Sequence, residues 1–184
     1  GNTPNLVTGG GELTITGGSR GSDAPGAHYV PGGTALTSLV TANKAPPDLD
    51  LGPAQNWTIF VRCEPPGFSE GVDRTLIGVS TQTTGFELNA YGTIWEISHN
   101  GMFFSLGERP MASQVQTVVL SYDGTTGAIK ANVNGALAAT HTLALSYVGT
   151  SRLSVGHDQR AGFSSFANKV YEVGIVNSAW TASE

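Results

Sequence analysis

Charged residues and cysteine are both scarce in this chain, and each shortage argues against a class of protein. Only 12% of the 184 residues are charged, the net charge is −5, and the nine Lys and Arg residues are scattered. Because a nucleic-acid-binding surface needs clustered cations to neutralise phosphates, we predict no nucleic-acid partner. With 39% hydrophobic residues and so little charge, the chain should fold rather than stay disordered.

The single cysteine, Cys63, rules out a disulfide within the chain. It falls on the apolar phase of a predicted strand, so we interpret it as a small buried side chain rather than a reactive thiol. A disulfide-free, glycine-rich chain is more typical of a bacterial or viral protein than of a small extracellular animal domain.

Long apolar runs and helical patterns are also missing. There is no run of about 18 apolar residues, so we predict no membrane-spanning helix. The first residues show neither the basic nor the apolar region of a secretion signal. Apolar residues at helical spacing are absent, and the best helix candidate is a single turn at residues 178–184.

Glycine is abundant, and it separates short stretches in which apolar and polar residues alternate. The 25 glycines and nine prolines follow no period, which is typical of a fold with many turns. Trp57, Ile59, Val61 and Cys63 share one phase of a run with period two, which predicts a strand with one buried face.

Asn-Gly pairs at residues 100–101 and 134–135 favour tight hairpins, since both central positions of a type I′ turn need positive φ. Residues 18–22 we interpret as a turn. We predict strands at 12–16, 28–30, 35–40, 57–63, 75–80, 86–91, 93–98, 102–106, 115–122, 128–133, 136–142, 152–155 and 169–176.

This pattern predicts an all-β fold in which two antiparallel sheets stack as a jelly-roll sandwich. We expect a single domain over residues 11–184. Residues 1–10 hold only two apolar side chains, so we expect an N-terminal arm or edge strand there.

The order of these elements resembles the laminin-G-like branch of the concanavalin A-like lectin/glucanase superfamily. The elements that carry the resemblance are LDLG (49–52), WTIFVR (57–62), GFEL (85–88), QTVVLSYDG (116–124), ANVNG (131–135), LSVG (153–156) and VYEVGIVN (170–177). The resemblance implies a curved, concanavalin A-like jelly roll that binds sugar or protein, with or without calcium. Bacteriophage head and tail proteins also carry such domains.

Sugar cleavage is one activity within that superfamily, and it requires two carboxylates that flank the scissile bond. Laminarinase-type glucanases place them on one strand as Glu-x-Asp-x-x-Glu. Glu87 and Glu96 have no carboxylate at these spacings, although carboxylates from different strands could still meet. The Gly-x-Ser-x-Gly match at residues 17–21 falls in a segment that we interpret as a turn, not as the strand–turn–helix elbow that positions a nucleophilic serine. We therefore predict that the protein is not an enzyme.

Sugar binding needs an aromatic platform with polar groups at a loop rim, and two segments offer both. One is the hairpin near residue 100 and the other is the loop at 157–166. The candidate carbohydrate-binding residues are Trp95, His99, Asn100, His157, Asp158, Gln159, Arg160 and Phe163. For Trp95 the alternative is a place in the core, and Phe163 and Phe166 could instead hold their loop against the domain.

Metal binding has weaker candidates. The four His residues stand far apart, so zinc is not expected. Calcium prefers clustered oxygen ligands, and Asp48, Asp50 and Asp158 are its weak candidates. Asp123 precedes a glycine, so its carboxylate is expected to cap the local backbone instead. We predict no other cofactor.

Two functions are compatible with these observations. The first is a non-enzymatic virion structural protein, most concretely a bacteriophage head-decoration (cement) protein or a tail or fibre protein. Its partners would be other virion proteins or copies of itself, contacted through residues 1–10 and the proline-rich segment near Pro46. The alternative is a carbohydrate-binding module of a secreted or cell-surface protein, with a glycan as its partner.

Overall fold

The computed structural model describes residues 13–15, 19–31, 39–41, 54–66, 73–80, 85–107, 111–146, 152–156, 164–166 and 168–180. The strands within these ranges are β1 (Leu13–Ile15), β2 (Ser19–Asp23), β3 (Gly26–Val30), β4 (Leu39–Thr41), β5 (Trp57–Cys63), β6 (Asp73–Ser80), β7 (Gly85–Tyr91), β8 (Ile94–His99), β9 (Met102–Ser105), β10 (Gln116–Asp123), β11 (Ala128–Val133), β12 (Ala136–Thr142), β13 (Arg152–Val155), β14 (Ser164–Ser165) and β15 (Val170–Val176). These ranges contain no helix, and therefore none that could cross a membrane.

The strands form two sheets. In the first sheet the order is β1-β4-β13-β6-β7-β8-β9, with β14 beside β6, and in the second sheet it is β12-β11-β10-β5-β15-β3-β2. Strands distant in sequence lie side by side, since β5 pairs with both β10 and β15. All pairs are antiparallel except β14 with β6. The predicted all-β, two-sheet jelly-roll sandwich is confirmed.

Aromatic side chains join the two sheets. Trp57, on β5 of the second sheet, stacks on Phe86, on β7 of the first sheet, with 5.2 Å between ring centroids. On its other side Trp57 stacks on Tyr122 of β10 at 5.1 Å. All three side chains are buried, and each contributes about 1.5–3 kcal/mol to folding through the apolar surface removed from water.

The predicted burial of one phase of β5 is also confirmed. Trp57, Ile59, Val61 and Cys63 are all 0% exposed. The low-dielectric surroundings raise the pKa of the Cys63 thiol well above its ordinary value, so the group stays a neutral core side chain.

The Asn-Gly turns have the backbone conformation that the sequence predicts. The φ angles are 48° and 79° at Asn100 and Gly101, and 52° and 83° at Asn134 and Gly135. These turns join β8 to β9 and β11 to β12, so they set the register of two hairpins.

Two local predictions are wrong. Residues 19–22, predicted as part of a turn, belong to β2, which pairs with β3 along its whole length. None of the β2 side chains is buried, so no alternation in the sequence marks this strand. Residues 178–180 are not helical, because Thr58 Oγ1 donates to Ser178 O at 2.7 Å and accepts from Trp180 N at 3.0 Å. The predicted arm at 1–10 lies outside the described residues.

A close backbone approach makes Gly124 sensitive to substitution. A Cβ at this position would lie 2.5–2.7 Å from backbone atoms of Ala54 and Gln55, and Gly124 N donates to Asn56 Oδ1 at 2.9 Å. We expect Gly124→Ala to lower the free energy of unfolding by about 1–3 kcal/mol, measured by urea denaturation. Lys130→Ala is the control, because Lys130 is exposed on β11 and the change removes atoms without adding any. Equal stability of the two variants would contradict this account.

Candidate functional site

Polar side chains occupy the face of the first sheet that points away from the second sheet. Phe86 and Leu88 of β7 belong to the core between the sheets, so the residues alternating with them point outward. Glu87 lies opposite Ser98 of β8, Asn89 lies opposite Glu96 of β8, and Thr75 of β6 lies opposite Asn89. We call this set the outer polar face: Thr75, Glu87, Asn89, Glu96 and Ser98.

The outer polar face is buried although it points away from the core. Glu87, Asn89 and Thr75 are 0% exposed, and Glu96 and Ser98 are no more than 4% exposed. Removing a carboxylate from water costs free energy unless hydrogen bonds replace the lost hydration. A polar face at this depth therefore costs stability, which calls for a reason beyond folding.

Hydrogen bonds link part of this face. Asn89 Nδ2 donates to Ser98 Oγ at 3.3 Å, and Ser98 Oγ donates to Glu87 Oε2. Within the described part of the chain, Asn89 Oδ1 and Thr75 Oγ1 have no hydrogen-bond partner. Both oxygens belong to side chains that are 0% exposed, so they are unsatisfied inside the protein.

Two exposed aromatic side chains lie at opposite corners of the outer polar face. Phe103, on the edge strand β9, is 59% exposed and lies opposite Ser98. Tyr91, two residues after Asn89 on β7, is 39% exposed. Strand geometry separates the two positions by about 13 Å along the strands and about 10 Å across them. The face thus combines aromatic rings with polar groups.

Trp95 does not belong to this surface. Its side chain is 0% exposed and stacks on Phe166, also 0% exposed, with 6.4 Å between ring centroids. A ring in the core has no free side for a sugar, so the candidate role of Trp95 as a stacking platform is wrong and its alternative as a core residue is confirmed. Phe166 packs inward, as its own alternative predicted.

His99 and Asn100 contact each other, and both also contact Ser146. His99 is 2% exposed, and its Nε2 accepts a hydrogen bond from the backbone amide of Ser146 at 3.3 Å. Asn100 is exposed, contacts the same nitrogen at 3.2 Å, and donates to Ser146 Oγ at 2.9 Å. This cluster ties the β8–β9 turn to the segment after β12.

The remaining site predictions fall on other parts of the chain. The carbohydrate candidates at 157–160 and 163 and the calcium candidates at 48 and 50 lie outside the described residues.

Asp123 caps its turn as predicted, because its Oδ1 accepts from Thr125 N at 2.8 Å. This bond lowers the pKa of the Asp123 carboxyl. Among the described residues, no group of three or more His, Cys, Asp or Glu side chains could hold a metal ion.

The outer polar face was not predicted from the sequence, although part of its signal is visible there. Glu87 and Asn89 occupy the polar phase of β7, and Glu96 and Ser98 occupy that of β8. Which residues lie opposite one another depends on the register between strands. The two glutamates, isolated in sequence, share this face because their strands are neighbours.

A second polar cluster lies on the second sheet and serves its packing. Lys169 Nζ lies 2.8 Å from Asp23 Oδ2 and 3.2 Å from Glu64 Oε2. Tyr171 OH is within hydrogen-bond distance of the same two oxygens, at 3.1 and 3.3 Å. The hydrogen bond from Lys169 lowers the pKa of Asp23, and both carboxylates raise the pKa of Lys169.

Comparisons with known proteins agree with the fold. No protein-family model and no curated protein matches the chain. Domain 4 of AbnA, a GH43 extracellular arabinanase from Geobacillus stearothermophilus, in complex with arabinotriose, is similar with a TM-score of 0.68 at 14% identity, over 91% of this chain and 78% of that one. The CBM40 domain of the Ruminococcus gnavus IT-sialidase, bound to α2,3-sialyllactose, has a TM-score of 0.59 at 16% identity, over 79% and 92%.

A third similar structure is the receptor-binding domain of botulinum neurotoxin type G. Its TM-score is 0.67 at 11% identity, over 96% of this chain but only 45% of that one. At such low identity these similarities define the fold alone. The chain is therefore a jelly-roll β-sandwich.

The Lys169 cluster leads to a prediction about stability and pH. The pKa of Asp23 is lowered from its ordinary value of 3.8, so its ion pair stabilises the folded protein at pH values above 3.8. This stabilisation is lost as the pH falls through the pKa that Asp23 has in the folded protein. The pKa of Lys169 is raised from its ordinary value of 10.5, so its ion pairs stabilise the folded protein at pH values below 10.5. This stabilisation is lost as the pH rises through the pKa that Lys169 has in the folded protein. We expect Lys169→Met to unfold at a lower urea concentration than the unmodified protein. The difference in urea midpoint should be largest at intermediate pH, where both charges are present. The exposed Lys130→Met is the control, and a margin independent of pH would contradict the assignment.

Proposed function

We propose that the protein is a non-catalytic glycan-binding domain whose binding surface lies around the exposed Phe103 and Tyr91, at the margins of the outer polar face. The observation that carries this proposal is the exposed Phe103 ring beside Ser98 and the buried polar row. Single exposed hydrophobic residues are common on protein surfaces. An exposed ring next to a row of polar groups is instead the combination that sugar recognition needs.

The chemistry of a sugar explains why both kinds of group are needed. A sugar ring has apolar C–H groups, which can pack on an aromatic face, and hydroxyl groups, which need hydrogen-bond partners. Phe103 and Tyr91 can supply the first contact. Ser105 can supply the second, because it is exposed and lies two residues after Phe103 on the same face of β9.

The structural neighbours support this proposal. The AbnA domain is described with arabinotriose and the CBM40 domain with sialyllactose, so this fold carries glycans in both. The AbnA arabinanase is described as extracellular, which favours an extracellular or cell-surface location for this chain. They lend no support to the virion structural role predicted from the sequence.

Binding without cleavage is proposed because of the state of the two carboxylates. Glu87 and Glu96 share the outer polar face, yet both are no more than 4% exposed, and Glu87 accepts a hydrogen bond from Ser98. In glycoside hydrolysis both groups must reach the scissile bond, one as acid and the other as nucleophile or base. Carboxylates buried in this way are poorly placed to flank such a bond.

The test is a glycan array followed by isothermal titration calorimetry with the glycans that bind. We expect Phe103→Ala to weaken binding roughly 5- to 13-fold, which corresponds to the loss of about 1–1.5 kcal/mol of ring stacking. Tyr91→Ala should weaken the binding of longer glycans by a similar factor.

Leu137→Ala is the matched control, because Leu137 is 60% exposed on β12 at the edge of the other sheet. It should leave the affinity unchanged. Binding that survives Phe103→Ala, or the absence of binding to every glycan, would refute the proposal. Release of shortened glycans during incubation would show that the domain is an enzyme.

A further inference from the structure

The β2–β3 hairpin, residues 19–30, lies at one edge of the second sheet and contributes little to the core. None of the β2 side chains is buried, and on β3 only Tyr29 is. Among the described residues, one register pair, Tyr29 with Val170, joins β3 to β15. Segments with few buried apolar contacts open locally at a lower free energy than the core does. The hairpin is therefore a candidate for independent movement.

Contacts within the hairpin allow it to move as one unit. Register pairs join β2 to β3 along their whole length, and one of them is Gly21 with His28. The His28 ring lies against Gly21, where a Cβ would come within 2.5 Å of His28 Nε2. Because these contacts are internal, separation of the hairpin from β15 leaves them intact.

Polar contacts near the hairpin turn connect it to β15 and β5. Asp23 Oδ2 lies 2.8 Å from Lys169 Nζ and accepts a hydrogen bond from Tyr171 OH at 3.1 Å. Arg62 Nη1 donates to Pro25 O at 3.3 Å. Asp23 takes part in two of these three contacts, so the attachment depends chiefly on its carboxylate.

Ionisable groups from three strands surround this carboxylate. They are Lys169, Tyr171 and Glu172 on or next to β15, Arg62 and Glu64 on or next to β5, and His28 on β3. Arg20 alternates onto the opposite face of β2.

Acid removes the charge on which the attachment depends. The hydrogen bond from Lys169 lowers the pKa of Asp23, so its carboxylate stays charged at pH values at which a free Asp is already protonated. Attachment through this carboxylate is therefore fully present above the ordinary pKa of 3.8. It is lost as the pH falls through the lower pKa that Asp23 has in the attached hairpin.

We infer that the β2–β3 hairpin is a conformational device: the Asp23 carboxylate holds it against β15, and acid releases it while the rest of the sandwich stays folded. A neutral Asp23 no longer attracts the Lys169 ammonium group. Release uncovers Tyr29 and Val170, which are 6% and 3% exposed in the closed protein. It also opens the edge of β15 at Val170, and an open strand edge can pair with another chain.

The test is hydrogen–deuterium exchange followed by mass spectrometry between about pH 7 and about pH 3. The results are expressed as protection factors, which correct for the effect of pH on intrinsic exchange. Peptides that cover β2 and β3 should lose protection roughly threefold or more over this range. Peptides that cover β10 and β11 should keep theirs, and they verify in every sample that the sandwich is folded.

Three variants separate the carboxylate from its surroundings. Asp23→Asn keeps the size of the side chain and removes its charge, so it should lower the protection of the hairpin at about pH 7 roughly 3- to 10-fold and remove most of the response to acid. Tyr171→Phe removes one hydrogen bond and should lower protection by a smaller factor. Glu172→Gln is the matched control, because Glu172 is exposed on the same strand and lies outside the Lys169–Asp23 pair. It should leave protection unchanged.

Three outcomes would overturn the inference. Loss of protection in the hairpin and in β10 and β11 at the same pH would show that the hairpin opens only when the whole domain unfolds. An equal response to acid in Asp23→Asn and in the unmodified protein would exclude Asp23 as the group that holds the hairpin. Protection of the hairpin that does not change with pH, or that is absent at neutral pH, would show that no such release exists.

Discussion

The contact between Trp57 and Phe86 determines which face of the first sheet is inside. It joins β5 of the second sheet to β7 of the first, and Tyr122 holds the other side of the indole ring. Because successive side chains of a strand point to opposite faces, Glu87 points outward when Phe86 points inward. The position of every residue on the outer polar face depends on this one packing constraint.

Burial of that polar face has an energetic cost which the core must offset. The core contains the side chains of β5, β7, β8 and β10, and each large apolar one contributes about 1.5–3 kcal/mol. Against this, Asn89 and Thr75 keep buried oxygens without hydrogen bonds in the described part of the chain, at about 1–3 kcal/mol each. The hydrogen bonds among Asn89, Ser98 and Glu87 offset part of this cost.

Much of the fold could be predicted because its signals are local. The alternation in β5 and the Asn-Gly turns each depend on a few neighbouring residues, and both are confirmed. By contrast, β2 has no buried side chain, so only its pairing with β3 makes it a strand. The binding residues were harder to predict. Trp95 has the kind of side chain on which sugars stack, but it packs on Phe166 in the core.

The residues alone were enough to define an all-β chain, the approximate limits of most of its strands, two type I′ turns and a buried Cys63. These properties follow from side-chain alternation and from the φ angles that Asn and Gly tolerate, both of which act over a few residues. Only the tertiary structure placed Glu87 and Glu96 on one face, buried Trp95 and exposed Phe103 beside Ser98. Those arrangements depend on the register between strands and on the stacking of two sheets, which involve residues far apart in the chain.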